Sequence, residues 1–276
     1  MTTIAASQGL QSVVITFDPH PRVVLGKDEN KMKLLTTLEE KIAIFEKLGV
    51  DNVYVIPFTK EFAATPYEDY IKDILVRKLG AKHIVLGFNH QFGQERSGNH
   101  NTLIALGKTY GYEVTEVSPQ RVEGQVVSST RIRHLLEQHE LDLANKLLGY
   151  PFMITGSVIH GRKVGKTIGF PTANIMIADH YKLIPALGVY AVTVQIDNDI
   201  HFGMCSIGFN PTFGKMELSV EVNIFDFNTE IYGKEIRMGF VSYLRPEIKF
   251  DGVEALVKQM NKDKENSLQK LHSLND

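Results

Sequence analysis

The feature that most constrains the fold of this chain is a change in hydrophobic patterning near Gly149. Before that residue, short apolar runs such as 13–17 (VVITF) alternate with segments whose apolar residues recur at helical spacing. Alternating strands and helices are typical of a doubly wound parallel sheet. After Gly149, strand-like segments follow one another with no convincing helix between them, which predicts an antiparallel β-barrel. We therefore expect two domains, residues 1–150 and 151–276.

Capping residues mark where helices begin and end. Thr37 and Glu40 form a capping-box signature at the start of a helix that we expect to end at Gly49. Asp251 and Glu254 form a similar signature ahead of a C-terminal helix. The apolar residues of that last helix lie on one face, so we expect the helix to pack on the barrel.

Composition excludes several classes of protein. The chain has 276 residues, with 30 Lys and Arg against 32 Asp and Glu, so no global positive field attracts nucleic acid or an acidic membrane surface. Cys205 is the only cysteine, which excludes an internal disulfide framework, a structural zinc knuckle and an iron–sulfur cluster. No apolar run approaches the roughly 18 to 20 residues of a membrane span. We expect a cytoplasmic protein without nucleic-acid or membrane partners.

The densest cluster of chemically suggestive residues is the loop 161–174 (GRKVGKTIGFPTAN). It is not a P-loop, because Gly161 and Gly165 have three residues between them instead of four, and a proline disfavours the helix that should follow. Its glycines still let backbone N–H groups approach phosphate oxygens, and Lys163, Lys166 or Arg162 can offset the phosphate charge. The loop is therefore either a phosphate-binding loop or a solvated basic hairpin.

Two further patterns in the second domain carry oxygen ligands. Thr172 and Asn174 are two residues apart, so in an extended segment both side chains point the same way and offer oxygens suited to Mg²⁺, although such residues also bond nearby backbone in turns. The segment 218–224 (LSVEVNI) alternates apolar and polar residues, which places Glu221 on the polar face of a strand. Glu221 can accept the proton of an attacking hydroxyl, or it can simply face solvent.

The first domain offers three short motifs: 16–21 (TFDPHP), 87–93 (GFNHQFG) and 128–133 (SSTRIR). The first two follow predicted strands, at the edge where ligands bind in open α/β sheets. The third places hydroxyls near a helix start and arginines in its first turns, which suits a phosphate group. His20, in the first motif, is equally consistent with a simple turn residue.

Taken in order with 220–227 (VEVNIFDF) and 232–250 (YGKEIRMGFVSYLRPEIKF), these motifs resemble the bacterial bifunctional riboflavin kinase/FMN adenylyltransferase (FAD synthetase) family. The resemblance covers nearly the whole chain. It implies an N-terminal Rossmann-like nucleotidyltransferase domain and a C-terminal riboflavin kinase barrel. The barrel would transfer the γ-phosphate of ATP to the 5′-hydroxyl of riboflavin and give FMN.

The resemblance also implies roles for individual residues. Thr172 and Asn174 match the Mg-ATP ligands of the family, Glu221 matches its general base, and Arg245 is a candidate on the flavin side. The ATP-side loop is matched by Gly161, Lys163, Gly165, Lys166 and Thr167. The remnant of the adenylyltransferase site comprises His20, Asn89, Ser129, Thr130 and Arg133.

One family motif is missing from the sequence. Family members begin with a strand and a glycine-rich turn that bears a histidine pair, whereas residues 1–12 resemble the tail of the helix that follows that turn. We therefore expect a sheet that lacks its first strand and little or no FAD synthesis. The first domain should then be less stable than in relatives, or something else fills the gap. Two alternatives stay open: a bifunctional enzyme in which His20 or basic residues substitute for the histidine pair, and a flavin- or nucleotide-binding protein without turnover.

Overall fold

The computed structural model describes residues 1–26, 33–88, 91–94, 97–161, 164–212 and 215–273. Contacts between residues divide the chain into two compact units. The first unit contains residues 1–32 and 41–126, and the second contains residues 33–40 and 127–276. The second unit is therefore assembled from two separate stretches of sequence.

The first unit alternates helices and strands. Its elements are α1 (Thr2–Ser7), β1 (Val13–Asp18), α2 (Pro21–Val24), most of α3 (Leu38–Lys47), β2 (Asn52–Pro57), α4 (Lys60–Ala63), α5 (Tyr67–Asp69), a π-helix (Tyr70–Lys78), β3 (His83–Gly87), α6 (His100–Tyr110), β4 (Glu113–Val117), β5 (Arg121–Val122) and β6 (Gln125–Val126). The capping box predicted for α3 is present, because the N–H of Glu40 donates to Oγ1 of Thr37 and the N–H of Thr37 donates to Oε2 of Glu40.

The longer strands of the first unit form two parallel pairs. β1 pairs with β2, starting with Val13 opposite Asn52, and β3 pairs with β4, starting with His83 opposite Glu113. In the described part of the chain no strand joins the two pairs. The core of this unit consists of Ile71, Leu75, Leu86, Leu103 and Tyr112.

The second unit is a closed barrel with helices outside it. Its elements are α7 (Ser129–Glu137), α8 (Leu141–Leu148), β7 (Phe152–Ile159), α9 (Val164–Thr167), β8 (Ala173–Met176), β9 (Gly188–Ile196), β10 (Asp199–Thr212), β11 (Lys215–Ile224), β12 (Glu235–Arg245) and α10 (Val253–His272). The strands follow the order β10-β11-β8-β7-β12-β9 around the barrel, and neighbouring strands are antiparallel. On β11, Val220 and Val222 are buried while Glu221 is half-buried, as its alternation predicts.

Three details of this unit differ from the sequence-based prediction. The short helix α9 lies between β7 and β8, where no helix was expected. β8 is a strand of four residues, too short for alternation to identify it. The capping box predicted at Asp251 and Glu254 is wrong, because the N-cap position of α10 falls on Gly252 and no side chain caps the helix. α10 packs on the barrel as predicted, through a cluster of Phe170, Ala191, Met204, Phe225 and Leu271.

The compact units do not divide at residue 150, where the patterning changes. Asn145, on α8, donates from Nδ2 to the carbonyl oxygen of Phe240 at 2.8 Å, and its Oδ1 accepts the N–H of Phe152 at 2.8 Å. The buried residues of α8 are Leu141, Ala144 and Leu147. The hydrophobic pattern shows where the helical segments of the sequence end. The division into units depends instead on which surface the last helices, α7 and α8, cover.

The segment 33–40 is fastened to the barrel unit by a buried ion pair. Nζ of Lys182 lies 2.5 Å from Oε2 of Glu40, and neither side chain is exposed. Oε1 of Glu40 accepts the N–H of Thr155 at 2.8 Å, and Lys182 also donates to the carbonyl oxygen of Leu35 at 2.7 Å. Burial lowers the pKa of Lys182, and the Glu40 carboxylate opposes that lowering. The capping residue of α3 is thus also the partner of a buried lysine.

Breaking this pair by Glu40→Gln should lower the free energy of unfolding by about 3 to 5 kcal/mol, because Lys182 loses its buried counter-charge. Urea unfolding followed by far-UV circular dichroism measures the effect. The double variant Glu40→Gln/Lys182→Met should recover much of the loss, since no charge then stays buried.

The matched control is Lys234→Met, which breaks an exposed pair with Asp197 at 2.6 Å. Such pairs contribute at most about 1 kcal/mol, so its unfolding should resemble that of the parent protein. A loss for Glu40→Gln as small as that of the control would contradict the prediction.

Candidate active site

Pairing between β8 and β11 brings together three of the predicted site residues. Asn174 lies directly opposite Glu221 in the antiparallel register. Thr172, two residues earlier, donates from Oγ1 to Oε2 of Glu221 at 3.2 Å. All three residues are half-buried. A hydroxyl, an amide and a carboxylate therefore share one patch, which we call the Thr–Asn–Glu patch.

Glycines allow the preceding loop to approach this patch. A Cβ atom on Gly161 would lie 2.0 Å from Nδ2 of Asn174, so any other residue at position 161 would require the amide of Asn174 to shift. A Cβ atom on Gly165 would lie 2.2 Å from the carbonyl oxygen of Phe170. The short helix α9 ends with Lys166 and Thr167, which are both exposed. The loop thus combines close backbone approach with an accessible cationic side chain.

The Thr–Asn–Glu patch borders a cavity of about 170 Å³. Its polar lining includes Thr172, Ser206, Glu221 and Asn223, and its apolar lining includes Ile248, Phe250, Leu256 and Met260. Asn223 is 6% exposed and donates from Nδ2 to the carbonyl oxygen of Pro171 at 2.6 Å. This bond ties β11 to the backbone immediately before Thr172.

Arg245 lines the same cavity at the end of β12. Its Nε lies 3.0 Å from both carboxylate oxygens of Asp263, and its Nη2 donates to Oδ2 at 2.6 Å. Nη1 donates to the carbonyl oxygen of Pro246 at 2.9 Å. Gln259 donates from Nε2 to Oδ1 of Asp263 at 2.8 Å. The guanidinium therefore joins the end of β12 to helix α10.

The cysteine near the patch is electrostatically unsuited to act as a nucleophile. Cys205 lies on β10 opposite Val222 of β11 and is fully buried. Burial raises the pKa of its thiol, and the charge of Glu221 adds to that increase. Because the thiolate is the reactive form, Cys205 is a poor candidate for a nucleophile in this patch.

The predicted adenylyltransferase residues are assigned to different units. His20 belongs to the first unit, where its Nδ1 accepts a backbone N–H as the N-cap of α2. Three others lie in α7 of the second unit: Ser129, Thr130 and Arg133. Arg133 donates from Nε to the carbonyl oxygen of Lys33 at 2.6 Å. Two predicted site residues lie outside the described residues: Asn89 and Lys163.

Sequence reasoning missed Asn223 and Asp263. Asn223 follows Glu221 by two residues on the same strand, so the period of a β-strand could have identified it. Asp263 lies at helical spacing from the apolar residues Leu256 and Met260. An acidic residue on the apolar face of a helix is the only feature of the sequence that could have identified it.

A closed barrel with a glycine-rich basic loop, the Thr–Asn–Glu patch and a cavity of mixed polar and apolar lining, together with a parallel α/β unit, is the arrangement expected of the small-molecule kinase and nucleotidyltransferase class. Family models agree with this assignment. A model described as riboflavin kinase matches residues 148–271, and a model described as FAD synthetase matches residues 1–131.

Similar proteins extend the match over both units. The bifunctional riboflavin kinase/FMN adenylyltransferase of Listeria monocytogenes is 45% identical over 265 residues, which cover 96% of this chain and 83% of that protein. The Bacillus subtilis protein of the same name is 38% identical over 279 residues, 98% of this chain and 86% of the relative. The chain belongs to the bifunctional riboflavin kinase/FMN adenylyltransferase family, and its second unit is the riboflavin kinase module.

A solved structure is similar in fold as well as in sequence. A crystal structure titled as a macrolide-efflux protein from Streptococcus pneumoniae is 34% identical, has a TM-score of 0.83, and covers 96% of this chain and 86% of its own. The name macrolide-efflux protein belongs to the Streptococcus pneumoniae protein and is not transferred to this chain. In the part of this chain that the structure describes, no helix is long and apolar enough to cross a membrane.

Gly161→Ala should lower kcat/KM for FMN formation at least about tenfold, because the added Cβ would displace the amide of Asn174. The control is Gly87→Ala, where no atom lies within 4 Å of the added Cβ and activity should match that of the parent protein. A steady-state assay with both substrates varied measures the change. Parent-like activity of Gly161→Ala would contradict the assigned role of this loop.

Proposed function

We propose that the second unit phosphorylates riboflavin to FMN with Mg-ATP, and that Glu221 is the general base. The observation that carries the proposal is the position of the Glu221 carboxylate, hydrogen-bonded to Thr172 and opposite Asn174. Glu221 accepts the proton of the riboflavin 5′-hydroxyl as that oxygen attacks the γ-phosphorus. The bond from the γ-phosphorus to the bridging oxygen breaks, and ADP leaves with the bonding electrons.

The donor set of the patch fits Mg²⁺. Thr172 and Asn174 supply hard oxygen atoms, which Mg²⁺ prefers, and we propose them as its protein ligands. Among the described residues, no group of three or more His, Cys, Asp and Glu side chains could hold a metal ion. Mg²⁺ usually binds through few protein ligands together with substrate phosphates. When bound, Mg²⁺ offsets the charge of the transferring phosphoryl group.

The loop before the patch supplies the proposed phosphate side of the site. Gly161 and Gly165 let backbone N–H groups come close to phosphate oxygens, and exposed Lys166 and Thr167 offer a cation and a hydroxyl. Lys163, which is proposed from the sequence alone, completes this set of phosphate-binding residues. Phosphoryl transfer requires mainly positioning and neutralisation, which such a loop provides.

The cavity supplies the proposed flavin side. Phe250, Leu256 and Met260 offer apolar surface to the isoalloxazine ring, while Asn223 and Ser206 line the cavity near Glu221 and offer polar groups to the hydroxylated ribityl chain. Arg245 borders the same space. A protein that only bound flavin would have no use for a carboxylate placed beside the two oxygen donors, which disfavours binding without turnover.

We propose adenylylation of FMN to FAD as the second activity. It is supported by the FAD synthetase match to residues 1–131 and by relatives at 45% and 38% identity that are named for both activities. These findings favour a bifunctional enzyme over the expected loss of FAD synthesis. Both reactions would take place in the cytoplasm, where ATP is available and the single thiol of Cys205 stays reduced.

Glu221→Gln should lower kcat for FMN formation by about 10² to 10⁴, because the amide cannot accept the hydroxyl proton. Separation of FMN from riboflavin by chromatography measures the rate. The matched control is Glu235→Gln on β12, an exposed residue outside the cavity lining, which should keep parent activity. Absence of FMN from the parent protein, or an active Glu221→Gln, would overturn the proposal.

FAD should form when the parent protein is incubated with FMN, ATP and Mg²⁺. Glu221→Gln should form FAD at the parent rate, because adenylylation does not use the kinase base. Chromatography of the flavin products distinguishes FAD from FMN. If no FAD forms while the parent still phosphorylates riboflavin, the chain is a riboflavin kinase without the second activity.

A further inference from the structure

We infer that Asp263 is a positioning residue for riboflavin: it binds Arg245 and thereby holds helix α10 as one wall of the flavin cavity. This inference rests on the proposed kinase function of the same site. Arg245 then acts on riboflavin indirectly, through the carboxylate of Asp263, a residue that the sequence patterns did not identify.

The pair has the geometry of a strong interaction. Nε of Arg245 reaches both carboxylate oxygens of Asp263, and Nη2 reaches Oδ2 at 2.6 Å. The side chain of Asp263 is 2% exposed and that of Arg245 is 15% exposed, so solvent screens the pair little. Charge-assisted contacts that are both bidentate and buried fix direction as well as distance. The pair therefore sets where α10 lies relative to the end of β12.

The position of α10 determines the shape of the cavity. Leu256 and Met260 precede Asp263 by seven and three residues, so all three lie on one face of the helix. The same three residues line the cavity. A shift of α10 at Asp263 would therefore move the apolar wall formed by Leu256 and Met260.

Arg245 is largely committed to protein partners. Nε and Nη2 contact Asp263, Nη1 donates to the carbonyl oxygen of Pro246, and Cζ lies 5.9 Å from the ring centroid of Phe250. The guanidinium thus links β12 and the segment 246–250 to α10. These contacts favour a role in placing the cavity wall over a direct hydrogen bond to the flavin.

A neighbouring ion pair on the same helix provides the control. Lys264, next to Asp263, donates to Oδ1 of Asp226 at 3.1 Å, and the side chain of Asp226 is 87% exposed. Neither Lys264 nor Asp226 lines the cavity. Asp226→Asn therefore makes the same chemical change in a second ion pair of α10 without touching the flavin wall.

Asp263→Asn should raise the KM for riboflavin about tenfold while leaving the KM for ATP and kcat within about threefold, because the phosphate side and Glu221 are unchanged. Asp226→Asn should leave all three parameters within about twofold. Steady-state kinetics with each substrate varied supplies the numbers. An unchanged riboflavin KM in Asp263→Asn, a fall in kcat alone, or an equal effect of Asp226→Asn would overturn the inference.

A double-mutant cycle separates positioning from direct binding. Arg245→Lys keeps the charge but loses the bidentate fork, so it should raise the riboflavin KM like Asp263→Asn. If Arg245 acts through Asp263, the double variant should resemble the single variants. Additive effects on KM would assign Arg245 a direct contact with flavin and overturn the inference.

The test still decides the question if Asp263→Asn does not fold or if the proposed kinase function is itself wrong. If Asp263→Asn fails to fold, Arg245→Lys and Gln259→Leu carry the test, since each weakens the contacts of Asp263 without removing its charge. An unchanged riboflavin KM in both variants would overturn the inference. FMN formation by the parent protein distinguishes this failure from failure of the proposed kinase function, in which no FMN would form at all.

Discussion

The hydrogen-bonded pairing of β8 with β11 is the constraint on which the candidate active site depends. β8 has four residues, yet it lies between β7 and β11 and is needed to close the barrel. Its register places Asn174 opposite Glu221 and leaves Thr172 within hydrogen-bond distance of the same carboxylate. The approach of Gly161 to the amide of Asn174 then brings the loop proposed to bind phosphate to the same place. The site is therefore a consequence of barrel closure.

Two buried ion pairs extend the barrel unit beyond its strands. Glu40 and Lys182 fasten the segment 33–40, and Arg245 and Asp263 fasten α10. A buried charge is costly without its partner, so each pair makes one specific packing arrangement strongly preferred. The first pair joins the segment 33–40 to the barrel, and the second borders the cavity proposed for flavin.

The two proposed activities are chemically consecutive, because FMN is the product of the first and the substrate of the second. Their structural requirements nevertheless differ. The kinase site is contained within the second unit, whereas the residues predicted for adenylylation are assigned to both units. The first unit holds two separate parallel strand pairs in the described part of the chain, whereas the strands of the second unit close into a barrel.

Local sequence patterns determined much of this protein. Alternation on 218–224 predicted that Glu221 lies on a polar strand face, and the spacing of Thr172 and Asn174 predicted that their side chains share one side. These properties depend on the two-residue period of a strand, which neighbouring residues impose. The change of pattern near Gly149 likewise predicted a parallel α/β part and an antiparallel barrel. The ordered motifs were sufficient to indicate the family.

Only the tertiary structure decided which distant residues meet. Glu40 reads as a capping residue in the sequence, and its pairing with Lys182 depends on how 33–40 packs against the barrel. The division between units falls before α7 because α7 and α8 cover the barrel. No local sequence pattern shows which surface these helices cover. The partnership of Arg245 with Asp263 depends on the placement of α10 across the end of β12. Periodicity follows from the local backbone, whereas ion pairs between separate elements require the whole chain to be folded.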